Sequence, residues 1–187
     1  MNGSQQIRIF SVDDHPLLHE GLATVIRHQA DMLMVAEAAN GREAIQRFRE
    51  HVPDVTLMDL RLPDMSGIDA MIAIRSEFPE ARIIILTTFA GESEIRRALD
   101  AGARAYLLKS MPPKELMEVI RQVHAGKVRI PQEVAARVSA HQTGEPFTER
   151  EIEKPFPTGQ VTKVSEARSQ SSQRAVQRWV SNLFRRD

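Results

Sequence analysis

Four apolar runs in this chain each end in a side chain able to do chemistry. Residues 7–12 end at Asp13-Asp14, residues 55–58 at Asp59, residues 83–86 at Thr87-Thr88, and residues 104–108 at Lys109. If these runs are strands of one parallel sheet, their C-terminal ends share an edge and the six residues converge there. Three carboxylates at one edge repel and raise one another's pKa values, so something must offset them. Lys109 supplies one positive charge, and a divalent cation would supply two more. A hard, oxygen-only cluster suits Mg²⁺, which keeps several waters and leaves room for phosphate oxygens. Asp59 then has the makings of a nucleophile toward a phosphoryl group. Such transfer needs mainly positioning and charge neutralisation, with the Thr87 hydroxyl placed for the new phosphoryl oxygens.

Taken singly, each residue has a plainer reading. A lone Asp at a strand end is more often a cap or turn residue, and Asp14 is placed to cap the helix that His15-Pro16 opens. Thr87 alone is a β-former, and Lys109 alone is a solvated surface charge. His15 reads as structural or solvent-facing, and Asp64, just beyond Pro63, as a turn acid. It is the combination that outweighs these readings.

The elements that must position the residues follow from periodicity. Strands are expected at 7–12, 32–38, 54–59, 82–88 and 104–108. The apolar run Ile83-Ile84-Ile85-Leu86 suits a central strand covered on both faces. Helices are expected from Pro16, with Leu18, Leu22, Val25 and Ile26 at helical spacing, and after Asn40, with Ala44, Ile45 and Phe48. Three more are expected at about 67–77, at 92–101 before a capping Gly102, and at 112–124. Strand and helix thus alternate five times. That predicts an α/β fold, a doubly wound five-stranded parallel sheet with helices on both faces.

Composition sets outer bounds. The 187 residues are 42% hydrophobic, enough for a core, and contain no cysteine, so disulfides and thiolate metal sites are excluded. The longest apolar runs are too short to span a bilayer, no signal-peptide pattern opens the chain, and a soluble cytoplasmic protein is expected. Net charge is zero but uneven. Residues 1–125 carry 14 Lys+Arg against 18 Asp+Glu, and residues 126–187 carry 11 against 7. A basic back suits a polyanionic partner, although ordinary surface variation gives the same asymmetry.

Four segments carry a family likeness: Val12-Asp13-Asp14-His15-Pro16; Met58-Asp59-Leu60-Arg61-Leu62-Pro63-Asp64-Met65-Ser66-Gly67; Leu86-Thr87-Thr88-Phe89; and Gly102-Ala103-Arg104-Ala105-Tyr106-Leu107-Leu108-Lys109. Together they resemble the receiver domain of bacterial two-component response regulators, with the NarL/FixJ (LuxR-type) subfamily closest. The resemblance implies a flavodoxin-like receiver over residues 6–125, phosphorylated on Asp59 by a sensor histidine kinase. It implies Mg²⁺ held by Asp14, Asp59 and the Arg61 backbone carbonyl, with Asp13 acting through water, and Lys109 on the phosphate. Thr87 and Tyr106 would form a switch pair, Tyr106 turning inward as Thr87 moves. A homodimer on phosphorylation is implied, and no membrane partner.

The same resemblance implies a linker at 126–145, with a helix at 131–140, and a small all-α, LuxR-type helix-turn-helix region at 146–187. That region departs from the family pattern at 154–171. Pro155 and Pro157 interrupt its first helix, and Ser165, Glu166, Ser169 and Ser171 stand where apolar residues are expected. The pattern returns at 172–186, where Val176, Trp179, Val180, Leu183 and Phe184 form one apolar stripe. Gln177, Arg178 and Ser181 match groove-facing positions of the family's recognition helix, and Arg174, Arg185 and Arg186 match phosphate contacts. A basic amphipathic helix docking on a partner or a membrane surface is the plainer reading of that segment.

Three functions compete. The first is a phosphorylation-controlled transcription regulator whose DNA binding is weak or non-specific. The second is a receiver acting by protein contact with an impaired DNA-binding domain. The third is an Asp-nucleophile phosphohydrolase, whose general acid would stand two residues after the nucleophile. Arg61 occupies that position, which disfavours it.

Overall fold

A computed structural model of the chain describes residues 6–88 and 91–130. The expected linker helix at 131–140 and the helix-turn-helix region at 146–187 lie outside the described residues. Ten elements alternate as expected: β1 (Ile7–Val12), α1 (Pro16–Arg27), β2 (Met32–Ala38), α2 (Gly41–His51), β3 (Val55–Asp59), α3 (Gly67–Glu77), β4 (Ile83–Thr87), α4 (Glu92–Asp100), β5 (Ala105–Leu108) and α5 (Pro113–His124). The strands pair in parallel in the order β2-β1-β3-β4-β5. Expected and observed bounds differ by a residue at a few ends. Pro112, for instance, caps α5 rather than opening it.

Every residue of β3 and β4 is buried, because these inner strands have a helix layer on each side. On one side, Phe48 of α2, Ile68, Met71 and Ile74 of α3, and Ile95 of α4 pack on Phe10, Met58, Ile85 and Tyr106. On the other, Leu18, Leu22 and Ile26 of α1 and Leu116, Met117 and Ile120 of α5 pack on Ile9, Leu57, Leu86 and Leu107. The pairing of β1 with β2 shifts between Ile9 and Phe10, leaving Val35 as an extra residue. A bulge reverses the side-chain alternation beyond it. Met34 accordingly packs in the α1/α5 layer, while Ala36 and Ala38 lie in the α2 layer.

Several helix ends carry specific caps. Asn40 accepts from the Glu43 N–H at 2.9 Å, as its position after β2 led us to expect. Gly102 adopts φ +89°, and the bonds Gly102 N–H to Leu99 O and Ala103 N–H to Ala98 O close α4 in a Schellman motif. The α2 end is unusual. Val52, a β-branched residue, takes φ 41°, and the Arg8 guanidinium donates to the His51 and Val52 carbonyls at 2.6 and 2.8 Å. Beyond α5 the chain turns back to the β5 edge, where the Arg129 N–H donates to the Arg104 carbonyl at 2.8 Å and Arg129 bridges Ala105 in parallel. No described helix is long and apolar enough to cross a membrane.

Candidate functional site

Strand alternation fixes which way the edge residues point. Ile7 and Ile9 of β1, Val55 and Leu57 of β3, and Ala105 and Leu107 of β5 all lie in the α1/α5 layer. Continued at a period of two, the same series reach Asp13, Asp59 and Lys109. The three side chains therefore leave the sheet edge on one side, and they meet. Lys109 Nζ is 3.0 Å from Asp59 Oδ2 and in closer contact with Asp13 Oδ2. All three are buried, Lys109 to 1% exposure. Burial of an ammonium normally lowers its pKa, but the charges of Asp59 and Asp13 outweigh that and raise it. Lys109 is a fixed positive charge here, not a solvated surface one.

The two acids differ. Burial is the largest influence on Asp59 and pushes its carboxyl up to about 6; Asp13 adds to the rise, and Lys109 opposes it. Burial acts in the same sense on Asp13, but the His15 hydrogen bond and the Lys109 charge outweigh it and hold that carboxyl below its usual range. Negative charge is thus secured on Asp13, while Asp59 carries the cost of the crowding. This is the repulsion expected from the sequence, confined to one member of the cluster.

Asp14 and His15 require corrections. Asp14 does not cap α1: the cap residue is His15, with no side-chain cap bond. The His15 N–H instead donates to Asp13 Oδ1 at 3.0 Å, an Asx-turn that folds the imidazole back over the acids. Its Nδ1 lies 2.9 Å from Asp13 Oδ1 and 2.7 Å from Asp14 Oδ1. The hydrogen bond to Asp13 raises the His15 pKa, against partial burial. His15 is therefore part of the cluster, and the signal was available: an Asp two residues before a histidine, just ahead of a helix-opening proline.

The loop between β3 and α3 is tied at its root. Gly67 N–H donates to the Leu60 carbonyl at 2.8 Å, and Arg61 bridges Ser66. A Cβ at Gly67 would stand 1.9 Å from the Asp59 carbonyl oxygen, so no other residue fits. Asp64 is more than a turn acid. Its carboxylate accepts from the Gly41 and Arg42 N–H groups at the start of α2, at 2.7 and 3.0 Å. The Thr87 and Tyr106 side chains lie on the other face of the sheet, although the Lys109 N–H donates to the Thr87 carbonyl at 2.7 Å. Tyr106 pairs with Ile85 and packs in the α2–α4 layer, and Thr87, two residues beyond Ile85, shares that side. Both are buried, Tyr106 completely, so the inward position expected only after phosphorylation is already taken. Burial, then the Glu94 charge, raises the Tyr106 pKa.

Asp13, Asp14, His15 and Asp59 each offer a ligand atom, all within 4.8 Å of one another. The carboxylates exceed Lys109 by two negative charges, the complement of a dication, and their oxygens are hard donors. The candidate DNA contacts Arg174, Gln177, Arg178, Ser181, Arg185 and Arg186 lie outside the described residues.

Residues 9–121 match the model of the response regulator receiver domain. The chain belongs to the response regulator receiver family. The chain is 34% identical over 152 residues to the response regulator protein VraR of Staphylococcus aureus, covering 79% of this chain and 73% of that one. A LuxR-family two-component response regulator from Aurantimonas sp. SI85-9A1 superposes with a TM-score of 0.68 at 38% identity, covering 73% of this chain and 97% of the other. The receiver domain of the putative response regulator NarL from Mycobacterium tuberculosis gives 0.63 at 29% identity, covering 66% and 99%. The receiver here is that of LuxR-family response regulators, consistent with phosphorylation-controlled transcription regulation. Receiver domains are generally phosphoacceptors rather than enzymes, and they bind Mg²⁺ at an acidic pocket such as this Asp cluster.

Proposed function

We propose that the chain is a phosphorylation-controlled transcription regulator, that it accepts a phosphoryl group on Asp59 from a sensor histidine kinase, and that residues 6–125 are its receiver, 126–145 its linker and 146–187 its DNA-binding region. The observation that carries this reading is the buried Asp59 carboxylate, held 3.0 Å from a buried Lys109 ammonium that also holds Asp13. Asp14, Asp59 and the Arg61 carbonyl would hold Mg²⁺, with Asp13 acting through water. The ion's contribution is to neutralise phosphoryl oxygens as charge develops on them. A carboxylate oxygen of Asp59 forms the new P–O bond while the P–N bond of a donor phosphohistidine breaks, and the released imidazole takes a proton. Lys109 stabilises the equatorial oxygens, and Thr87 donates to one of them.

Because Tyr106 is already inward, phosphorylation is read as fixing that position through Thr87 rather than creating it. A fixed face around α4 and α5 then favours a homodimer. The chain uses no chemistry beyond self-phosphorylation and slow self-dephosphorylation, and it works in the cytoplasm. Incubation with Mg²⁺ and a small acyl phosphate should add one acid-stable, base-labile phosphoryl group to the wild type and none to Asp59→Asn, because an amide is a poor nucleophile. Undiminished labelling of that variant would move the chemistry to another residue.

A further inference from the structure

Asp64 stands five residues beyond Asp59 and touches nothing in the acid cluster, yet it ties the loop that contains Arg61 to a different element. Helix α2 does not need it. Asn40 already satisfies the Glu43 N–H, and Glu43 Oε2 returns to the Ala39 N–H at 3.0 Å, a reciprocal cap made within the helix's own segment. The remaining first-turn donors are the N–H groups of buried Gly41 and exposed Arg42. Asp64 takes both, and its carboxylate sits at the positive end of the helix dipole. Beside it the Met65 side chain occupies the space a Cβ at Gly41 would need, 2.3 Å from its Cγ. The loop tip is thus keyed onto α2 by a charge-assisted fork and a shape fit, while its root is pinned at Leu60, Arg61, Ser66 and Gly67.

The Arg61 peptide belongs to the root pin, three residues before Asp64. Its carbonyl is the one backbone ligand in the site proposed above. We propose that Asp64 is a positioning residue for cation binding: by locking the loop tip to the α2 N-terminus, it presets the Arg61 peptide so that the ion meets an ordered carbonyl. This rests on the Mg²⁺-dependent reading of the site. Groups that orient metal ligands without touching the metal commonly change affinity by 10–100-fold when removed, and a loop fixed at one end only must be ordered at the moment of binding.

The test uses the full chain with Asp64→Ala, Asp64→Asn, which keeps one acceptor oxygen, and Gly41→Ala, which displaces Met65 and crowds Asp64 Oδ1 at 3.3 Å while keeping its carboxylate. Mg²⁺ affinity is measured by calorimetric titration, and hydrogen exchange at the Arg61 amide is measured without metal. The proposal expects Mg²⁺ binding weakened about tenfold in Asp64→Ala, less in Asp64→Asn, in the same direction in Gly41→Ala, and faster Arg61 exchange in each. Affinity within threefold of wild type in Asp64→Ala, or unchanged Arg61 exchange, overturns it, even if the melting temperature falls, because that would show a cap serving α2 alone. Failure of the wild type itself to bind Mg²⁺ would instead remove the functional reading beneath it.

Discussion

Asp59 is asked to stay ionised in a place that discourages it. Its carboxyl is pushed up to about 6 by burial, with Asp13 adding repulsion and Lys109 opposing. A raised folded-state pKa means the ionised acid costs stability, and the cost appears as pH rises through the unfolded value and then about 6. Without metal, Asp59→Asn should therefore be more stable than wild type at pH 8, by about 2 kcal/mol after allowing for the partner Lys109 loses. The gap should close toward pH 4. Urea denaturation across that range checks it, and a variant less stable at pH 8 would mean that Lys109 more than repays the crowding. The sequence made this centre readable because Asp13, Asp59 and Lys109 each follow an apolar run, and strand alternation does the rest. His15 was readable by a different signal: it has no periodicity to place it, but an Asp two residues before it and a helix-opening proline after it permit the Asx-turn that brings its ring over the acids.

Among the elements, the inner strands were legible because burial on both faces writes a continuous apolar run, as in Ile83–Thr87. The β2 edge was harder. Its alternation is reversed at Val35 by a bulge that depends on β1, which a linear reading of one strand does not contain. Asp64 was legible as a polar loop residue but not as a contact with α2, since the two are joined only through the tertiary fold. The α2 end offers a clean test of backbone strain. Val52 sits at φ 41°, a region that β-branched residues rarely adopt, and half of it is exposed, so little packing would be lost on replacement. Asparagine tolerates the left-handed region far better. Val52→Asn should stabilise the domain by about 1 kcal/mol, seen as a higher urea midpoint with unchanged slope. An unchanged or lower midpoint would show that the Arg8 fork already relieves the strain.

At the scale of the whole molecule, an acidic receiver is joined to a basic back. Helix-turn-helix readout requires a packed scaffold to set the recognition helix in the groove, and Pro155, Pro157 and the serines of 165–171 argue from sequence against the usual one. Charge attracts phosphates without that geometry. Titration against a candidate promoter and a scrambled duplex at two salt concentrations should show weak, steeply salt-dependent binding. Sequence preference should stay below roughly a thousandfold, the lower range for specific regulators. A larger preference would establish a working recognition domain. The receiver's own topology carries a different consequence, for the order of events as the chain leaves the ribosome. Asp13, Asp14 and Asp59 are all synthesised before Lys109, whose strand β5 is the last in the sequence and lies at the sheet's end beside β4. Until it docks, the acids have no buried countercharge, and parallel pairing over such sequence distance is slow. Lys109 is therefore the late-made member of the cluster, and the acids gain their buried countercharge only once the chain has been made through β5.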